Sequence, residues 1–110
     1  MAPQAAGAIA RPSQQEIDAL IQLNAEQRYA DCLARAEALL ESYPQAPGLC
    51  GIAASACIGM GKPLKALGYY DRLLDLQPGN AVAYIDRGNC LSNMGRLQKA
   101  VEDYRQAIRL

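Results

Sequence analysis

Four cysteines, Cys32, Cys50, Cys57 and Cys90, are the side chains with the most intrinsic reactivity in a chain of 110 residues that has no histidine. A thiolate can serve as nucleophile, redox partner or soft metal ligand. The spacing favours none of these roles. No two cysteines form a Cys-x-x-Cys pair, and no histidine is present to complete a mixed zinc site. Cys50 and Cys57 fall on one predicted helix, where their separation corresponds to roughly 10 Å of axial rise. A disulfide needs Cα atoms within about 7 Å, so an intact helix holds this pair apart. All four cysteines are therefore read as small buried hydrophobes. Acid–base work without histidine would fall to carboxylates, lysine, tyrosine or cysteine. The carboxylates are spread along helix exteriors, where Asp71 and Asp75 are expected to pair only weakly with basic neighbours such as Arg72. The sequence contains no phosphate-cradling glycine loop, nucleophile elbow or Asp-x-Asp calcium spacing. The expectation is a non-catalytic protein with no cofactor and no metal site.

What remains is recognition chemistry, and it depends on the elements that present it. Ser13 and Glu16 have the spacing of a capping box and open a first helix over residues 13–25, with Ile17, Leu20, Ile21 and Asn24 at helical intervals. A second helix, about Tyr29–Ser42, turns Cys32, Leu33, Ala36, Leu39 and Leu40 inward, and Tyr43 before Pro44 ends it. The third, about Ala46–Met60, carries Pro47 in its first turn and the costly glycines Gly48, Gly51 and Gly59. The fourth runs over Pro63–Leu76 with Leu64, Leu67, Tyr70, Leu73 and Leu74 inward. Asn80 caps a fifth over Ala81–Asn93, and a sixth spans about Leu97–Leu110. The first twelve residues lack any pattern and are expected to form a flexible extension.

These helices repeat. Shifted by 34 positions, Gly95 falls on Gly61, Ala100 on Ala66, Tyr104 on Tyr70 and Leu110 on Leu76. A second shift brings Ala66 onto Cys32, Leu73 onto Leu39 and Pro78 onto Pro44. Such a period marks a stack of helix–turn–helix units. Tyr84, Gly88, Gly95, Ala100, Tyr104 and Ala107 resemble the landmark positions of the tetratricopeptide repeat. The likeness covers about residues 13–110, and it weakens in the first unit, where Gln27, Cys32 and Ala36 replace the turn glycine, the alanine and the aromatic. The resemblance implies an all-α, right-handed α-solenoid of three units, about 13–46, 47–80 and 81–110, with six helices and no strand.

In that family the first helix of each unit lines a concave groove for a peptide or helix. Helical spacing assigns to this face Gln14, Ile17, Ile21 and Asn24 in the first unit. Gly48, Gly51, Ser55, Ile58 and Gly59 follow in the second, then Val82, Ile85, Asn89, Ser92 and Asn93 in the third. None is charged. Family members that clamp a partner's C-terminal carboxylate use Lys, Arg and Asn from successive units; here only Asn89 matches, and Asp18 and Asp86 would repel a carboxylate. An aliphatic floor with scattered amides suits an apolar or uncharged segment, whose backbone the amides can both donate to and accept from. Gly51, Ser55 and Gly59 form a stripe read either as a low groove floor or as close helix packing. Tyr70, Tyr84 and Tyr104 are read as interhelical packing.

Eleven Lys and Arg balance eleven Asp and Glu, so charge gives no case for nucleic acid or an anionic membrane. No apolar run reaches the roughly 20 residues of a membrane helix, and the N-terminus has no signal-peptide pattern. A cytoplasmic location is expected. The leading function is a protein-interaction module within a larger protein. The alternatives are a three-repeat chaperone similar to the class II chaperones of type III secretion, and a structural or oligomerisation spacer. Val101, Tyr104 and Ile108 on the last helix lack a capping helix, so self-association through that face is expected of the isolated chain.

Overall fold

A computed structural model describes residues 11–110, and within them six α-helices and no strand are formed. They are α1 (Gln14–Ala25), α2 (Tyr29–Ser42), α3 (Pro47–Gly59), α4 (Pro63–Leu76), α5 (Ala81–Asn93) and α6 (Leu97–Arg109). The expected extension lies outside the described residues except for Arg11 and Pro12. Helix boundaries follow local chemistry. Ser13 Oγ accepts the Glu16 amide while Glu16 Oε1 accepts the Ser13 amide at 2.9 Å, so Ser13 is the cap of α1 and not its first residue. Asn80 Oδ1 accepts the Ala83 amide at 3.0 Å and starts α5. Ala46 offers α3 no side-chain cap, and Pro47 places its missing donor in the first turn.

The three intra-unit turns are copies of one motif. Arg28, Lys62 and Arg96 donate their amides to the carbonyls of Leu23, Cys57 and Leu91 at 2.8–2.9 Å. The residues just before them, Gln27, Gly61 and Gly95, hold φ of 62°, 70° and 78°. This is a Schellman cap with a left-handed residue, and the 34-residue period returns it each time.

Each helix packs on the next in sequence, and α1 also touches α3. The described chain is a slab of 49 × 31 × 18 Å, not a ball around one centre. Its core runs along α2, α3 and α4 and uses small side chains: Ala36, Ala53, Ala54, Ala56 and Ala66 are fully buried with Leu49, Cys32, Cys50 and Cys57. Two equivalent positions trade volume between units. Leu20 with Ala36, Ala54 with Tyr70, and Gly88 with Tyr104 occupy the same pair of places. A Cβ on Gly88 would lie 2.7 Å from the Tyr104 ring, so the bulkiest partner needs the bare backbone. The missing aromatic of the first unit is thus met by Leu20 from the opposite helix. One inward assignment is corrected: Leu64 is exposed, because as the second residue of α4 it lies off the Ala66, Tyr70, Leu73 and Leu74 stripe that contacts the core.

Candidate functional site

The face shared by α1, α3 and α5 displays Gln14, Ile21, Ser55, Ile58, Val82, Ile85, Asn89 and Asn93 as exposed residues. Ile17, Asn24, Gly51 and Ser92 are half-buried among them. Ile21 and Val82 are 52% and 65% exposed, unusual for large aliphatic side chains on helices that bury so much alanine. Two hollows interrupt the face. The smaller, about 350 Å³, is lined by Ile21, Asn24, Ala25, Gly51, Ile52 and Ser55. The larger, about 1200 Å³, lies where Arg11, Pro12, Gln14 and Ile17 approach Ala46–Leu49 and the end of α4 at Leu76 and Gln77. The third-unit residues line neither hollow.

In the smaller hollow the Asn24 amide donates to Ser55 Oγ at 3.0 Å, tying α1 to α3. Asn24 Oδ1 is buried there and accepts no hydrogen bond. An unpaired buried acceptor costs about 1–3 kcal/mol, and a ligand N–H would relieve it. Further along, the Tyr104 hydroxyl donates to Asn89 Oδ1 at 2.6 Å, which leaves the Asn89 NH₂ available to donate. Gln14 donates to Asp18 at 2.8 Å. Burial pushes the Asp86 carboxyl up.

The glycine stripe divides into two kinds. Gly48 has open space where a Cβ would be, and at Gly51 a Cβ would make ordinary contact with Leu73 at 3.8 Å. Gly59 is different: a Cβ would sit 2.6 Å from the Tyr29 ring. It is a close-packing contact between α3 and α2, and a larger residue would displace Tyr29, not simply fill a groove. All four cysteines are buried free thiols, and burial pushes each thiol up, away from the thiolate. No group of three or more His, Cys, Asp or Glu that could hold a metal occurs among the described residues, and no described helix is long and apolar enough to cross a membrane.

Residues 81–110 match the profile of the tetratricopeptide repeat. That stretch is one tetratricopeptide repeat, and the six helices have the fold of tetratricopeptide repeat domains. No curated protein sequence matches the chain. Among solved structures, the second such domain of Spaghetti (RPAP3), bound to the HSP90 peptide SRMEEVD, is similar with a TM-score of 0.81 at 19% identity, over 87% of this chain and 89% of that one. The type III secretion translocator chaperone SycD of Yersinia enterocolitica gives 0.81 at 16% identity, over 86% of this chain and 65% of its own. MamA of Desulfovibrio magneticus RS-1 gives 0.83 at 17%, over 86% and 54%. The chain therefore spans about half of MamA and nearly the whole of the Spaghetti domain.

Within this tetratricopeptide stack, charged contacts do more than the outer faces suggest from sequence. Arg87 of α5 donates two hydrogen bonds to Asp103 of α6, both at 2.8 Å, and a third to Asp71 of α4 at 2.9 Å. Asp103 is 6% exposed, and the Arg87 guanidinium also lies 5.6 Å from the Tyr84 ring centre. Asp71 thus meets Arg87, not the Arg72 side of its own helix, while Arg72 donates to the Pro44 carbonyl at 2.9 Å. Between α2 and α4, Glu37 accepts the Tyr69 hydroxyl at 2.6 Å and Lys65 at 3.1 Å. The Tyr69 hydrogen bond and nearby lysines hold its carboxyl below the usual range. The sequence did hold a signal for the Arg87 pair: Arg87 stands in the register of Ala53 and Ala19, with an acid 16 residues on.

Proposed function

We propose that this chain is a non-catalytic interaction module that holds an uncharged, apolar peptide or helical segment across the face of α1, α3 and α5. The observation that carries the reading is the buried, unpaired Asn24 Oδ1 in a hollow floored by Gly51 and walled by Ile21 and Ile52. A backbone N–H is a fitting donor for it, and a floor without a side chain lets a backbone come close. The aliphatic side chains of Ile21, Ile58, Val82 and Ile85 supply apolar area on either side. No Lys or Arg stands among the face residues of the three helices, Arg11 borders only the larger hollow, and Asp18 and Asp86 flank the face. That composition sets this face apart from one that would take an acidic peptide such as the SRMEEVD bound by the Spaghetti domain.

The test is fluorescence anisotropy of the full chain with a labelled, neutral, Leu/Ala-rich peptide. Binding should change by less than about twofold between low and high salt, because no ion pair is being screened. Ile58→Lys and Gly51→Leu should each weaken it roughly tenfold or more, with helicity by circular dichroism unchanged, since leucine is the better helix former. Binding that appears only at low salt, or that survives both substitutions, would refute the groove.

A further inference from the structure

The two hollows of the shared face lie end to end. Gln14, Ile17 and Gly48 border the larger, and Ile21, Asn24, Gly51 and Ser55 the smaller, so together they follow one seam between α1 and α3. Along α1 the seam runs about 15 Å from Gln14 to Asn24. Its floor stays low: Gly48 has open space where a Cβ would stand, and a Cβ at Gly51 would touch only Leu73. Its walls carry no cation, since neither α1 nor α3 contains Lys or Arg, and α3 has no charged residue at all. Asn24 Oδ1, buried and without a donor, lies at the far end.

The near end is where the chain itself arrives. Arg11 and Pro12 line the larger hollow together with Pro47 and Gly48, so the backbone enters α1 from the side of the seam. Residues 4–10, which lead into Arg11 and lie outside the described structure, read QAAGAIA. That segment has no charge and, apart from Gln4 and Ile9, only side chains of one carbon or none. It suits a shallow, cation-free seam that offers an acceptor for a backbone N–H. Fully extended, residues 4–10 reach roughly 23 Å, enough to pass from Arg11 to Asn24. So short a tether holds the segment at an effective concentration on the order of millimolar, where weak contacts suffice to seat it.

We propose that residues 4–10 lie along this seam and act as a built-in competitor for the groove, an inference that rests on the groove reading above. A peptide supplied by a partner then binds only those molecules whose segment is displaced, and its apparent affinity falls by that fraction. The test compares the full chain with its Ala6→Asp, Ala8→Asp double variant, which forces two carboxylates into the apolar seam near Asp18. In ¹⁵N NMR spectra the Gly51 and Ser55 amides and the Asn24 side-chain NH₂ should shift between the two chains, while Asn89 and Asn93 should not. The labelled neutral Leu/Ala-rich peptide should bind the variant about five- to tenfold tighter, the gain expected when the segment is seated roughly 80–90% of the time. Unmoved Gly51, Ser55 and Asn24 signals would overturn the proposal. Equal, measurable peptide affinity for both chains would overturn it too, and would leave the groove standing without a competitor. Shifted signals with no peptide binding to either chain would support the seated segment and refute the groove as a site for partners. A dimer by sedimentation that the variant dissolves would give the seam to the segment of a second copy and overturn its occupation in cis.

Discussion

Gln27 holds a left-handed backbone, φ 62°, in the turn where its two counterparts are glycines. A residue with a Cβ is disfavoured there by about 1–2 kcal/mol, and glycine gives back part of that through the freedom it adds to the unfolded chain. Gln27→Gly should therefore stabilise the fold by about 0.5–1 kcal/mol, read as a raised urea midpoint at unchanged slope. A lowered midpoint would show that the Gln27 side chain matters more than its backbone. Gly95 and Gly61 made this turn legible in the sequence, and Gln27 stood in the same place without announcing its conformation. Gly59 misled for the opposite reason. Spacing put it on the groove stripe, but the ring that claims its space belongs to Tyr29, 30 positions earlier in the chain, and helical spacing within α3 carries no trace of it.

Helix ends were readable because caps are local: Ser13 with Glu16, Asn80, Pro44 and Pro63 each act within a few residues. The ties between helices are not local. Arg87 joins α4, α5 and α6, and removing its buried partner strands a charge. Asp103→Ala should cost about 2–3 kcal/mol in urea denaturation, whereas Asp71→Ala, at the exposed end of the network, should cost under about 1 kcal/mol. Similar costs at the two sites would contradict the burial difference. Glu37 gives a pH signature. Its folded carboxyl is held low, so the α2–α4 tie is fully present above the ordinary value of 4.5 and is lost as pH falls through the lowered one. An NMR titration should place the Glu37 midpoint below ordinary glutamate, and Tyr69→Phe should move it up, since the Tyr69 hydroxyl is the largest cause of the shift. No movement would assign the shift to Lys65 instead.

As a whole molecule, the chain is a row. Its period dictated this, because a unit of two helices buries its apolar side only against a neighbour. Fold and helix order were legible for that reason. The hollow at Asn24 was not, because it arises where two units meet and Asn24 bonds Ser55 across the junction. The polar ties have a consequence for how such a row can be edited. Each junction is keyed by its own pair, Glu37 with Lys65 and Tyr69 at one, Asp71 with Arg87 at the next. Copying the second unit in tandem would set Asp71 opposite the duplicate of Ala53, and copying the third would set Arg105 opposite the duplicate of Arg87. Neither duplication finds its complement. The units share a shape but are not interchangeable parts, and the order in which they follow one another is written in charge.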